Sequence, residues 1–280
     1  MFPPDEAVSG DPLPADIADA LDRAAARLGR FAGRVRHVGE TGSTNDDVLR
    51  LAAAGAPEGT AVVADMQTAG RGRAGHTWFS PAGAGLYVSF LLRPGSGEGH
   101  RARGPAAVHL LTLAIGVALA DALRVGTGLP VEIKWPNDLV VGRRKLGGIL
   151  AEAVDIWSPA GHVTVGFGLN LHSTAYPPDV ASRATSIEAE LGRPPDRALI
   201  LAESLAAIDR VCGELEHGRF GAILSRWQEL APSSRGTAVR WVTPGGERRA
   251  VTAGITEDGA LLLQTEHGLE RVLAGDILWT

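Results

Sequence analysis

VEIKWPNDLVVGRRKLGGILAE, residues 131–152, is the stretch from which the architecture unfolds. Val131 to Trp135 reads as a strand, and Pro136-Asn137-Asp138 is turn chemistry. Residues 145–156 and 162–171 then alternate apolar with small side chains, which predicts paired strands carrying glycines where something approaches the backbone. Upstream, residues 105–124 are alanine- and leucine-rich and predict a long helix. Thr60 to Asp65 and Leu86 to Leu92 predict two further strands, separated by a Gly/Arg-rich loop at 69–77. The class is therefore α+β, a mixed central sheet backed by helices.

Outward from this centre the chain changes character at both ends. Residues 1–14, with four prolines and three acids, read as a disordered lead-in. From Pro14, Ile17, Leu21, Leu28 and Phe31 follow helical spacing and end near Gly33, leaving too little chain for a winged helix-turn-helix before the first motif. Around Ser43 a loop meets a helix, because Ser43 or Thr44 can cap and Asp46 and Asp47 fall in the first turn. Beyond a Pro-rich loop at 176–178, residues 196–216 and 219–230 are helical by period. Val239 to Val242, Arg249 to Ile255, Leu261 to Leu263 and Leu269 to Leu273 are short strands set apart by Gly-containing turns, which predicts a small β-barrel. The expected divisions are 1–36, 37–233 and 234–280.

Composition narrows the function classes. Hydrophobic residues make up 45% and charged residues 21%, the balance of a globular chain. A net charge of −5 argues against a protein that covers nucleic acid. Cys212 is the only cysteine, so neither an intrachain disulfide nor a cysteine-based zinc site can form, and a reducing compartment is expected. The most apolar run, Leu110 to Ala120, is shorter than the roughly 20 residues of a membrane span, and Met1 to Glu6 does not resemble a secretory signal. The expected location is the cytoplasm.

Several segments carry chemistry. Gly70-Arg71-Gly72-Arg73-Ala74-Gly75 interleaves unencumbered amides with two permanent cations, suited to a carboxylate or polyanion; a solvated basic loop has the same composition. It lacks the Lys-Ser/Thr pair of a phosphate-binding P-loop and the spacing of a dinucleotide fingerprint. Lys134, Asn137 and Asp138 surround a rigid turn, where Asp138 with Asn137 could hold magnesium and Lys134 offset phosphate charge, although Pro-Asn-Asp is also an ordinary turn. Lys145 opens a strand whose Gly147 and Gly148 permit close approach. Gly166 and Gly168 lie within a predicted strand and read as bulges rather than as a nucleotide fingerprint. The histidines show no metal-ligand spacing.

Taken in order, STND (43–46), QTAGRGR (67–73), KWPND (134–138), KLGGILAE (145–152) and GFGLN (166–170) resemble the segments of the biotin protein ligase family over roughly residues 38–280. The resemblance implies a class II synthetase-like catalytic domain followed by an SH3-like barrel. It also implies formation of biotinyl-5′-AMP from biotin and ATP with magnesium, then transfer to a lysine of a biotin carboxyl carrier protein. It places biotin among Ser43, Thr44, Asn45, Gln67, Gly70, Arg71, Gly72, Arg73, Lys145 and Gly148. The uncharged polar members suit a ureido ring, whose N–H donors and carbonyl need neutral partners. Lys145 would meet the carboxylate and α-phosphate, Arg71 and Arg73 would close over the adenylate, and Lys134, Asn137, Asp138 and Asn170 would serve nucleotide, with Asp138 on magnesium. No DNA or membrane partner is expected; a homodimer is compatible.

Two departures stand out. Relatives carry a further basic residue where this chain has Ala74 or His76, so its loop is expected to hold the adenylate with fewer charges and to move more. The DNA-binding domain of repressor relatives is expected to be absent. The rival readings are a lipoate or octanoyl ligase, which needs no ureido-ring set, and a non-catalytic nucleic-acid-binding β-barrel, which the negative charge opposes.

Overall fold

The computed structural model describes residues 10–93, 105–155, 161–173, 176, 178–243 and 245–280. The expected lead-in at 1–14 lies mostly outside the described residues, as does part of the Pro-rich loop at 176–178.

Seven strands form the central sheet: β1 (Val35–Thr41), β2 (Ala61–Gln67), β3 (Gly85–Leu92), β4 (Glu132–Lys134), β5 (Asp138–Val141), β6 (Arg144–Val154) and β7 (His162–Asn170), in the order β1-β2-β3-β7-β6-β5-β4. Only β1 and β2 pair parallel, so the sheet is mixed as expected. Period two sorts the side chains. Val88, Phe90, Val165, Phe167 and Ile149 enter the main core, while Ser89, Gly166, Gly168, Gly148 and Glu152 share the opposite face. The ladders joining β7 to β3 and β6 run without a register shift, so Gly166 and Gly168 are not bulges. They are small because that face must stay clear. The irregularity lies instead between β5 and β6, at Leu139/Val140.

Helices α1 (Ala15–Ala24), α3 (Pro105–Thr127), α6 (Arg197–Glu216) and α7 (Phe220–Leu230) back the core face. Between α3 and α6, α4 (Pro178–Ala181) and α5 (Ile187–Leu191) are short. Helix α2 (Thr44–Ala53) lies on the other face, sealing Val48, Leu51 and Ala52 against Val62, Ala64 and Leu91. Leu110–Thr127 of α3 is long and apolar enough to cross a membrane by length and composition. Here Leu110, Ile115, Ala118 and Leu119 are fully buried in the core instead.

Two expectations near the N-terminus need correction. The helix expected to reach Gly33 stops at Ala24 and continues as 3-10 turns, although Ile17, Leu21, Leu28 and Phe31 are all buried as their spacing required. The break lets Gly29, at φ +48°, pass close to Asp209 of α6, and Arg30 then meets Asp209, Glu58 and Glu216 at 2.8, 2.6 and 3.0 Å. Strand β1 was not foreseen: it is an edge strand ending in Gly39-Glu40-Thr41, with little alternation to display.

The C-terminal part is a five-stranded antiparallel sheet of β8 (Arg235–Thr243), β9 (Gly246–Ile255), β10 (Leu261–Thr265), β11 (Gly268–Val272) and β12 (Asp276–Trp279), ordered β11-β10-β9-β8-β12. Strand β12 was missed because only four residues separate its turn from the chain end. The β9–β10 turn packs against the end of β4 and against α3: the buried Trp135 Nε1 donates to Gly259 O at 3.1 Å, and a Cβ on Gly259 would meet Leu113 and Leu110 at 2.8 and 2.9 Å. Trp135→Phe would keep the ring but strand a buried carbonyl, and should lower unfolding stability by about 1–3 kcal/mol. Urea denaturation checks this; an unchanged midpoint would show that the bond contributes nothing.

Candidate functional site

The cleared face of the central sheet, the start of α2, residues 71–78 and β12 enclose one cleft of about 320 Å³. One end is neutral and polar. Ser43 caps α2 in extended conformation, and Ser43, Thr44 and Asn45 are buried where the helix begins over the sheet. Thr44 N–H donates to Gln67 Oε1 at 2.9 Å, and Thr44 Oγ1 lies 2.7 Å from Ser89 Oγ. Ser89 in turn donates to Asn45 Oδ1, so the single proton of the Thr44 hydroxyl has two acceptors in reach, Ser89 Oγ and Gln67 Oε1 at 3.1 Å. Asn45 Nδ2 donates to Glu152 Oε2 at 2.7 Å, and Gln67 Nε2 to Ser80 Oγ at 2.8 Å. Gly166 makes room for Asn45, since a Cβ would stand 2.1 Å from Asn45 Oδ1.

The Gly/Arg segment is a small hairpin rather than an open loop. Trp78 N–H donates to Gly70 O at 2.9 Å and Gly72 N–H to His76 O at 2.7 Å, while Ala74 and Gly75 make the tip at φ +52° and +77°. Gly70 must be glycine because a Cβ would lie 2.4 Å from Trp78 O. The hairpin lays the Trp78 indole over Gly168, where a Cβ would meet Nε1 at 2.4 Å. Trp78 lines the cleft, and its Nε1 is buried with no hydrogen-bond partner among the described residues. The two arginines differ sharply. Arg71 is gripped by Glu152, at 3.0 and 2.8 Å, and by Asp46 at 2.7 Å. Arg73 donates to the neutral Asn137 Oδ1 at 3.1 Å and has no ion pair among the described residues.

The other end is cationic. Lys145 Nζ pairs with Asp138 Oδ1 at 2.6 Å and sits 5.4 Å from the centre of the Trp78 ring. A Cβ on Gly148 would crowd Lys145 Cε and Nζ at 3.3 and 3.4 Å, so this glycine makes room for the lysine. Lys134 Nζ lies 5.0 Å over the Trp279 ring from β12. Burial, followed by repulsion from Lys145, holds its pKa below the ordinary lysine value despite Asp138 and Asp276. Asn137 Nδ2 donates to Ile149 O at 2.7 Å, which fixes the turn against β6.

Most of the expected residues therefore meet in one cleft. Gly70 and Asn170 stand behind its lining: Asn170 Nδ2 donates to Thr185 O at 2.9 Å and Lys145 O at 3.4 Å, bracing the backbone that carries Lys145. Among the described residues no group of three or more His, Cys, Asp or Glu converges as a metal cage, and the Asp138 carboxylate already faces Lys145. That donor set, one carboxylate already paired with a lysine, does not fit a resident ion. Sequence reasoning missed Trp78, Ser80, Ser89, Glu152, Arg183 and the β12 residues Asp276 to Leu278. Strand period alone would have placed Glu152 on the face of Gly148; nothing in the sequence pointed to β12.

Comparison with known proteins adds an independent line. The biotin/lipoate A/B protein ligase family model matches residues 39–170, and the biotin protein ligase C-terminal domain model matches residues 236–278. A biotin–[acetyl-CoA-carboxylase] ligase of Mycobacterium tuberculosis is 33% identical over 261 residues, 86% of this chain and 87% of that one. A bifunctional ligase/repressor of Bacillus spizizenii is 34% identical over 84% of this chain and 70% of its own length. Among solved structures, the biotin protein ligase from Aquifex aeolicus in complex with biotin and ATP superposes with a TM-score of 0.73 at 30% identity, covering 87% of this chain and 97% of that one.

Proposed function

The chain belongs to the biotin/lipoate A/B protein ligase family and acts as a biotin ligase on a carboxylase carrier; from that premise we propose how its own residues divide the work. The observation that carries the proposal is the polarity of the cleft, neutral hydrogen-bonding groups at one end and two lysines at the other. The ureido ring of biotin sits at the Thr44, Asn45 and Gln67 end, where its donors and carbonyl exchange water for buried neutral partners. The valerate tail runs over Gly168 and Gly148 toward Lys145. Gly166→Ala should force Asn45 aside and raise the KM for biotin by about tenfold, in line with overpacking costs, while the KM for ATP stays near wild type. Steady-state kinetics in both substrates separate these outcomes.

At the cationic end a carboxylate oxygen of biotin attacks the α-phosphorus of ATP, the bond to the β-phosphate oxygen breaks, and pyrophosphate leaves. Two anions must meet, and Lys145, with Lys134 behind it, offsets their charge. Asp138 would be the carboxylate available to a magnesium ion carried on the nucleotide, where the ion would offset phosphate charge. Asn137 orders the nucleotide side, Asn170 braces Lys145, and Arg73 covers the mixed anhydride against water. The neutral amine of a carrier lysine then attacks the acyl carbon, and AMP departs with the electrons of the broken C–O bond. No protein nucleophile is required, so positioning supplies much of the rate, with effective molarities on the order of 10⁵–10⁸ M available. The catalytic part spans 37–233 and the C-terminal part 234–280, whose β12 closes the nucleotide end. The cytoplasm is the setting, with no DNA partner. Incubation with biotin, ATP, magnesium and a biotin carboxyl carrier domain should add one biotinyl group to one carrier lysine by mass spectrometry. An unmodified carrier, or equal loading from lipoate, would contradict the proposal.

A further inference from the structure

Arg71 and Glu152 form the most elaborate polar contact in the cleft, and it is not at the reacting end. Gly148, Leu150 and Glu152 share one face of β6, so Glu152 stands about 13 Å along the strand from the glycine beside Lys145. It cannot touch a carboxylate held by Lys145. Its two oxygens instead accept Arg71 Nη1 and Nη2 as a bidentate pair, and Oε2 also accepts Asn45 Nδ2. Asp46 supplies a second carboxylate to the same guanidinium. With two acids around one arginine, that cation is already neutralised and is not offered to phosphates.

The contact closes a circuit. From Glu152 hydrogen bonds run through Asn45, Ser89, Thr44, Gln67 and Ser80 to Trp78 O, and Trp78 N–H returns to Gly70 O beside Arg71. We propose that Glu152 is a positioning residue that ties the base of the arginine hairpin to the polar pocket through Arg71 and Asn45, so that Arg71 is a strut for biotin recognition and, of the two arginines, only Arg73 presents its charge to the adenylate. This rests on the ligase function stated above. At 36% and 29% side-chain exposure the pair is partly screened, and its worth lies in geometry as much as in charge.

The test is a double-mutant cycle of Arg71→Ala and Glu152→Gln, read as biotin-dependent pyrophosphate release with biotin varied at saturating ATP and magnesium, and with ATP varied at saturating biotin. Glu152→Gln should raise the KM for biotin roughly tenfold, the scale of a lost charged hydrogen bond, with kcat within about twofold and the KM for ATP unmoved. The double variant should be no worse than the poorer single one by more than about twofold, because both remove the same strut. Glu152→Asp, which keeps the charge, should recover most of the loss. Additive losses, an unchanged KM for biotin, a loss carried by kcat, or no recovery in Glu152→Asp would each overturn the proposal. If Glu152→Gln does not fold by thermal melting, Asp46→Asn removes the solvent-side carboxylate and must raise the same KM less steeply; no rise overturns the strut. A wild-type protein that releases no pyrophosphate with biotin would sink the ligase function itself, whereas an active wild type with an indistinguishable Glu152→Gln sinks only the strut.

Discussion

Lys145→Ala should lower biotin-dependent pyrophosphate release by about 10²- to 10³-fold, the loss seen when one preorganised donor is taken from a developing charge. The expectation comes from where the ammonium sits. It is anchored 2.6 Å from Asp138, lies against the Trp78 ring, and occupies space that Gly148 leaves open on the cleft face of β6. Its backbone is held on both sides, by Arg183 O at 2.7 Å and Thr185 N–H at 2.9 Å, so the charge is positioned before substrate arrives. Without it, the carboxylate and α-phosphate must approach against their own repulsion. Lys145→Arg should not rescue, since a planar fork cannot replace a point charge beside Asp138. Stopped-flow or coupled pyrophosphate assays read the effect; a loss smaller than about tenfold would move the central cation elsewhere.

Arg73→Ala should act after chemistry rather than before it. The adenylate should still form, but its dwell time on the protein should fall by about 10- to 100-fold, the worth of a charge-assisted hydrogen bond to a phosphate. The geometry separates Arg73 from Arg71. It projects at the hairpin tip, its bond to Asn137 at 3.1 Å is to a neutral oxygen, and it carries no ion pair among the described residues. Released adenylate acylates any accessible amine, so bystander proteins in the same tube should become biotinylated. Rapid filtration of radiolabelled adenylate measures the dwell time. An unchanged dwell time, with bystanders unmodified, would remove Arg73 from the clamp.

How much of this was legible in the sequence depends on the physics behind each element. Several central strands were readable because burial on both faces forces apolar runs, as in Leu86 to Leu92, and α2 was readable because Ser43 stands at its N-cap position with Asp46 and Asp47 in the first turn, although Ser43 makes no side-chain capping bond. Strands β1, β5 and β12 were not: an edge position or a length of four residues leaves too little pattern. The residues of the cleft were found by chemical type and order, yet their roles separated only in three dimensions. Arg71 and Arg73 are alternate members of one segment, and nothing in GRGR says that Glu152, 81 positions away, will hold the first and leave the second. Trp78 was passed over because one tryptophan after a glycine loop reads as core, while its indole in fact covers the glycine floor. At the two positions without the further basic residue, Ala74 takes a left-handed conformation, and His76 reaches to 3.8 Å from Asp276 of the C-terminal sheet.

The most direct measurement is single-turnover pyrophosphate release with ATP and magnesium in the presence of biotin, lipoate, octanoate or no acid. One pyrophosphate per protein chain with biotin, and background with the other three, is the predicted result. Equal release with lipoate or octanoate, or release that needs no acid at all, would contradict a cleft that pairs a ureido-binding pocket with a lysine-held carboxylate.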